Sequence, residues 1–264
     1  MPLPADTTGR NAADQRFGDA LTVAELPVVT EIRRSGSDGE DLLRGRTAAE
    51  LARRYEELGA PAVSVVTGSW LGGTPRLLHD VVAATSLPVL VKDFFTREKQ
   101  IRQAAEAGAA AVLLTPALLP NRLMPTQIDA CLDNGVTPFV EITSAAELTA
   151  LTRAEACVVA VHNDDTRRRG SDDPDQGRGH DLLPRVRAAG AGLPVSTGGV
   201  GTPEDAARLL AAGYRGLLVG TGLLRAEDPD AWFGALRALL PDAEPAQDTQ
   251  AGSPVSTTTA ISTS

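Results

Sequence analysis

The chain has 264 residues, 42% of them apolar, enough for one large hydrophobic core or two small ones at roughly 150 residues per domain. Aromatic residues make up only 3% while Gly and Pro number 25 and 18, so the core must be built from Ala, Val and Leu between frequent turns. The net charge of −9 argues against binding to the phosphate backbone of nucleic acids or to anionic membrane surfaces, and no run of about 18 apolar residues is present to span a bilayer.

The first residues, MPLPADTTGRNAADQ, are polar and hold no basic region followed by an apolar run. Residues 1–16 are therefore expected to be disordered and to carry no secretion signal, and the protein to be cytoplasmic. From there short β-branched runs alternate with stretches of helical period, the pattern of parallel strands joined by crossover helices. Strand one is PVVTEI (27–32), carrying Glu31 and followed by Arg33, and its helix covers 47–58 and closes on Gly59. Strand two, AVSVVT (62–67), leads into a loop with Trp70 and a helix at 75–85. Strand three, PVLVKD (88–93), carries Lys92 and Asp93 and precedes a helix at 97–107 that closes on Gly108. Strand four, AAVLLT (110–115), is followed by a helix at 125–134 closing on Gly135. Strand five, PFVEIT (138–143), presents Glu141 and is followed by a helix at 145–152. Strand six, CVVAVH (157–162), ends on His162, and the charged segment NDDTRRRGSDDPDQGRGH (163–180) separates it from a helix at 181–189 closing on Gly190. Strand seven, LPVST (193–197), runs into a Gly-rich turn and a helix at 203–212, whose start is marked by Thr202, Pro203, Glu204 and Asp205 and whose end is marked by Gly213. Strand eight, RGLLVG (215–220), enters a second Gly-rich turn before a helix at 228–240.

Eight strand–helix pairs with both strand faces apolar favour a single closed (β/α)8 barrel, the TIM-barrel architecture, over an open doubly wound sheet. The barrel is expected to be one domain over 17–240. Residues 241–264, PDAEPAQDTQAGSPVSTTTAISTS, cannot bury enough apolar surface to offset the entropy of ordering and are expected to form a disordered tail. The 163–180 segment falls on the catalytic face, as a solvated loop whose Arg and Asp residues pair with each other or as a substrate lid.

Such a barrel builds its site at the C-terminal strand ends, where the ionisable residues are Glu31, Arg33, Lys92, Asp93, Glu141 and His162. Lys92, beside a carboxylate such as Glu31 or Glu141, is expected to have its pKa moved toward neutrality and to act as a general acid, with His162 as a proton shuttle. The same residues would also suit a layer of ion pairs plugging the barrel. Trp70 is placed to wall off an aromatic ring, whereas Trp232, with Phe233 and Leu236 at helical spacing, reads as packing; His79 and His180 read as surface residues. Cys131 and Cys157 lie in apolar stretches without metal-ligand spacing and read as buried reduced thiols, and no metal is expected. The sharpest physical signal is the pair STGGVGTPED (196–205) and VGTGLLR (219–225), Gly-rich turns after strands seven and eight, where barrel enzymes hold a phosphate on backbone amides. A phosphorylated small-molecule ligand follows.

In this order, VVTEIRRSG, AVSVVTGSWLGG, LPVLVKDFF, AAVLLTPALL, FVEITSAAEL, VVAVHNDD and STGGVGTPEDAARLLAAGYRGLLVGTGLLRAEDP resemble the indole-3-glycerol phosphate synthase family, from about Phe17 to Leu240. The resemblance implies a carboxy-lyase of tryptophan biosynthesis that closes the ring of 1-(2-carboxyphenylamino)-1-deoxyribulose 5-phosphate with loss of carbon dioxide and water, without metal or organic cofactor. It implies Lys92 as general acid, Glu141 as general base, Glu31 as the residue orienting Lys92, and a phosphate site at Gly199, Val200, Gly220 and Thr221. A monomer or small homo-oligomer is expected.

The departures from the family pattern fall at the substrate. Arg33 stands where the family has Lys, His162 where it has Asn, Asp164 where it has Arg, Gly198 where it has Ser, and Gly68 where it has Glu. Asp164 reverses a charge where the substrate carboxylate would be held, so Arg33 or one of Arg167, Arg168 and Arg169 is expected to supply the cation. Arg33, Asp164, Trp70 and Gly198 thus form the expected substrate-binding set. Three readings follow: a divergent lyase of this family, a specialised-metabolism paralogue performing another cyclisation, isomerisation or retro-aldol step on a phosphosugar, and a catalytically weak barrel that binds a phosphometabolite.

Overall fold

The computed structural model describes residues 16–149, 151–163 and 176–240. Eight parallel strands close into a barrel in sequence order, each hydrogen-bonded to the next and the last to the first. They are β1 (Val28–Ile32), β2 (Ala62–Val66), β3 (Val89–Lys92), β4 (Ala111–Leu114), β5 (Thr137–Ile142), β6 (Val158–His162), β7 (Leu193–Thr197) and β8 (Gly216–Val219). The crossover helices are α2 (Ala48–Glu57), α3 (Pro75–Val82), α4 (Glu98–Glu106), α5 (Met124–Asp133), α6 (Ala145–Leu148), α7 (Gln176–Ala188), α8 (Pro203–Ala212) and α10 (Pro229–Leu239), preceded by α1 (Arg16–Val23) and joined by a five-residue helix α9 (Thr221–Arg225) after β8. All eight expected strands form within a residue of their expected bounds. Their β-branched runs are buried on both faces, as a parallel sheet covered by helices requires.

Alternation along each strand splits the core in two. Val29, Ala62, Leu90, Ala111, Phe139, Val158, Ala160, Val195 and Leu218 fill the barrel interior, while Val28, Ile32, Val63, Val65, Val91, Val140 and Val161 meet the helices outside. Local signals agree with the larger order. Thr202 caps α8 by accepting from the Asp205 amide at 3.2 Å, and Gly59, Gly108, Gly135, Gly190 and Gly213, the expected helix stops, all take positive φ. Both cysteines are buried free thiols, and His79 and His180 are exposed.

The structure corrects several expected bounds. Helix α1 was not expected. Its Phe17 and Leu21, one turn apart, enter the interior cluster beside Ala62, Val158 and Leu193 at the strand starts and close that end of the barrel, with Phe17 edge-to-face on Phe139 at 6.0 Å. Helix α6 stops at Leu148 rather than near 152, and a short 3₁₀ turn at Ala154–Ala156 leads into β6. Helix α7 begins at Gln176, so the last five residues of the expected 163–180 loop are its first turn. Of the segment 1–16 expected to be disordered, Arg16 is instead the first residue of α1, and the rest, with 241–264 and the loop residues 164–175, lies outside the described residues. No helix among the described residues is long and apolar enough to cross a membrane.

Candidate active site

Glu31, Lys92, Glu141 and His162 each stand two residues beyond a member of the interior cluster: Val29, Leu90, Phe139 and Ala160. Strand alternation therefore brings all four into the barrel mouth. Lys92 Nζ lies 3.2 Å from Glu31 Oε2 and 3.4 Å from Glu141 Oε2. Glu141 turns its other oxygen to His162, with Nδ1 at 3.6 Å from Oε1. On the far side Arg33 Nε is 3.7 Å from Glu31 Oε1, and its Nη2 donates to the Thr221 hydroxyl at the start of α9. A chain of charge thus crosses the mouth from β6 to the turn after β8. The interior cluster beneath it, Val29, Leu90, Phe139 and Ala160 among its members, is apolar, and buried ion pairs are seldom more stabilising than hydrophobic packing. Concentrating them at this one end makes the mouth the candidate site.

The electrostatics run opposite to the sequence expectation for Lys92. Burial alone would discharge the ammonium, but Glu141 and Glu31 outweigh it and hold the pKa above the ordinary lysine value rather than near neutrality. Burial would likewise raise the Glu141 carboxyl, yet Lys92 and His162 hold it below the usual carboxylate range. One cation beside the Glu141 carboxylate is the arrangement that favours the charged form of both Lys92 and Glu141.

Asp93, also at a strand end, faces away from this chain. Its carboxylate accepts from Thr67 Oγ1 and from the Phe94 amide, both at 2.8 Å, and so ties the end of β2 to the loop after β3. That loop holds Phe94 against Trp70, with ring centroids 4.0 Å apart and both rings nearly half exposed. The indole lies over Gly68, where an added Cβ would fall inside the ring. Trp70 therefore occupies the volume a side chain at 68 would take. Asp164 and Arg167–Arg169 lie outside the described residues.

The two Gly-rich turns meet beside Arg33. Gly198 and Gly199 take φ of 77° and 69°, and the amides of Gly199, Val200 and Gly201 donate to no described residue. Unpaired amides along a turn are a ready anion cradle. A Cβ on Gly220 would lie 2.6 Å from Glu31 Oε1, and one on Gly222 would lie 2.7 Å from the Val200 carbonyl oxygen and 3.0 Å from that of Gly201. Because backbone atoms cannot swing aside, Gly222→Ala is expected to push the turns apart. Overpacking of this kind costs about 1–3 kcal/mol, so KM for a phosphorylated substrate should rise roughly 5- to 150-fold, while an unchanged KM would show that α9 does not shape the binding site.

Two supports of this turn escaped the sequence reading. Asn163, just past β6, donates through Nδ2 to Ser196 Oγ at 2.9 Å and to the Gly198 carbonyl at 3.2 Å, and Arg178 of α7 donates to the carbonyl of His162 at 3.1 Å. Trp232, read as packing, does pack edge-on to Phe233, but its indole N–H also donates to the Gly201 carbonyl at 3.2 Å. The available signal was that a buried indole N–H almost always finds an acceptor. Among the described residues no group of three or more His, Cys, Asp or Glu side chains is placed to hold a metal ion.

Comparison with known proteins adds a family. Residues 3–236 match the family model described as Indole-3-glycerol phosphate synthase. The chain is 34% identical over 204 residues to the protein named indole-3-glycerol phosphate synthase of Pyrococcus furiosus, covering 77% of this chain and 88% of that one. Proteins of the same name from Syntrophobacter fumaroxidans (34% over 218 residues, 81% of this chain and 80% of the relative) and Aquifex aeolicus (28% over 225 residues, 85% of each) are also similar.

Proposed function

The chain belongs to the indole-3-glycerol phosphate synthase family, and we propose that it is a decarboxylating, ring-closing carboxy-lyase in which Lys92 is the general acid, Glu141 the general base and Glu31 the group that orients Lys92. The observation that carries the assignment is the Lys92 ammonium held between two buried carboxylates at the strand ends, beside a turn whose amides are unpaired among the described residues. The substrate is 1-(2-carboxyphenylamino)-1-deoxyribulose 5-phosphate. Its phosphate rests on the amides of Gly199 and Val200 and on the turn at Gly220 and Thr221, with Gly198 opening the cradle. Arg33, paired with Glu31 and Thr221, adds its charge at this end. The aryl ring lies toward Trp70.

Ring closure joins the carboxyl-bearing aryl carbon to the ketone carbon of the sugar. As that bond forms, the ketone oxygen gains negative charge and takes the proton of Lys92. The raised pKa is no obstacle, because an alkoxide is a far stronger base than an amine and the donor arrives charged. The carbon–carboxylate bond then breaks, carbon dioxide leaves, and its electron pair restores the aromatic ring. Loss of the new hydroxyl as water, with removal of a proton from the adjacent carbon, completes the indole.

The lowered pKa of Glu141 makes it a poor base while Lys92 is charged. Once Lys92 has given up its proton, the attraction that depressed Glu141 is gone and burial acts unopposed by it. The first proton transfer therefore arms the second group. His162 beside Glu141 passes the proton onward. The direct test is turnover of the aryl-amino ribulose phosphate, read as indole absorbance or fluorescence: a steady signal from catalytic amounts of protein is expected, and its absence with correctly folded protein would reject the assignment.

A further inference from the structure

The turn at 198–201 is fixed at both ends by buried N–H donors from distant parts of the chain. At its start the Gly198 carbonyl accepts from Asn163 Nδ2 at 3.2 Å, and the Asn163 backbone N–H reaches the Thr197 carbonyl at 2.8 Å. At its end the Gly201 carbonyl accepts from the Trp232 indole at 3.2 Å. Asn163 is 1% exposed and Trp232 is 7% exposed. In a planar trans peptide the C=O and the following N–H point in opposite directions. Drawing the Gly198 carbonyl toward Asn163 therefore turns the Gly199 amide away from it, and holding the Gly201 carbonyl on Trp232 fixes the next peptide plane, whose Thr202 amide donates to Asp205 Oδ2 at 3.2 Å. Between the two fixed planes lie the amides of Gly199, Val200 and Gly201, unpaired among the described residues.

We propose that Asn163 and Trp232 are positioning residues of the anion cradle, which hold the Gly198 and Gly201 carbonyls away from a bound phosphate so that the amides between them face it. Two consecutive glycines at positive φ form a turn with several accessible peptide orientations, and a carbonyl swung into the cradle would repel the anion. The two donors remove that freedom. Asn163 carries out this role at a cost an apolar residue would avoid, since its buried Oδ1 has no hydrogen-bond partner among the described residues. Helix α7 seats it from behind: Gly179 passes so close that a Cβ there would lie 2.8 Å from that Oδ1, and Tyr214 holds the Gly179 carbonyl at 2.8 Å.

The proposal rests on the phosphate reading given under Proposed function, and its test separates the two. Asn163→Asp and Trp232→Phe each delete one N–H donor with little change of shape. Inorganic phosphate is titrated into the wild type and both variants by calorimetry, alongside kcat, KM and Tm. Each variant is expected to bind phosphate about tenfold more weakly, and to raise KM for the phosphorylated substrate by a similar factor, with kcat within about twofold of wild type, because a lost hydrogen bond in the support is read out as lost binding. Wild type that binds no phosphate removes the cradle and this proposal together. Wild type that binds, with both variants binding equally well or losing only kcat or Tm, overturns the positioning role alone. Should Asn163→Asp not fold, Trp232→Phe decides by the same readouts.

Discussion

Lys92→Met is expected to lower kcat/KM by about 10²- to 10⁴-fold, the usual contribution of a positioned proton donor, with indole fluorescence as the readout. The thioether keeps the stem of the side chain but has no proton to give to the developing alkoxide. The same substitution leaves Glu31 and Glu141, 5% and 12% exposed, without their shared cation. Breaking a buried pair by removing one partner costs about 3–5 kcal/mol, so Tm should fall as well. The pH dependence separates this from a general packing defect. In the wild type Glu141 is held below its ordinary pKa, so its contribution to stability is present above about pH 4.3 and lost as pH falls through the folded value. In the variant only His162 is left to oppose burial, so that carboxyl moves up, and the carboxylate stabilises the fold less at neutral pH than it does beside Lys92. The gap in Tm between the two proteins should therefore be wide at pH 7 and narrow toward pH 4. The raised pKa of Lys92 also means that wild-type stability from this ammonium is present below about pH 10.4 and lost as pH rises through the folded value, a step the variant should lack. A gap in Tm that does not change with pH would reject the charge network as its cause.

Glu141→Gln is expected to reduce kcat/KM by about 10²- to 10³-fold, within the range for loss of a general base. The amide is nearly isosteric and still reaches Lys92 and His162, so the fold should survive. Removing one of the two carboxylates lets burial draw the Lys92 pKa down, and the alkaline limb of the pH–rate profile should move to lower pH. Inhibition by inorganic phosphate should be unchanged, because the Gly198 and Gly201 carbonyls that flank the turn are held by Asn163 and Trp232, not by Glu141. A loss of phosphate binding equal to the loss of rate would instead show that Glu141 shapes the pocket rather than moves protons.

The barrel was legible because its rules are local. Short β-branched runs, a Gly after five of the helices and the Thr202 cap are read over fewer than ten residues, and the eightfold count does the rest. The strand-end residues were legible for the same reason: Glu31, Lys92, Glu141 and His162 share the inward parity of Val29, Leu90, Phe139 and Ala160, whereas Asp93, one residue past Lys92, faces the other way. Helix α1 escaped because eight residues with two inward anchors, Phe17 and Leu21, carry too short a period to distinguish from a polar leader. The start of α7 escaped because QGRGH has poor helical propensity and is held by Arg178 and Tyr214, contacts made across the fold.

By itself, the sequence determined the architecture, the family resemblance and the identity of the groups in the mouth. Tertiary structure decided what those groups do to one another. The direction in which Lys92 titrates depends on its burial and on its distances to Glu31 and Glu141, residues 61 and 49 positions away along the chain, and the burial term and the pairing term have opposite signs. The roles of Asn163 and Trp232 depend likewise on carbonyls at Gly198 and Gly201 that are remote in sequence. Periodicity is a property of neighbours and survives in one dimension, whereas Coulomb energies and hydrogen bonds vary with distance in three.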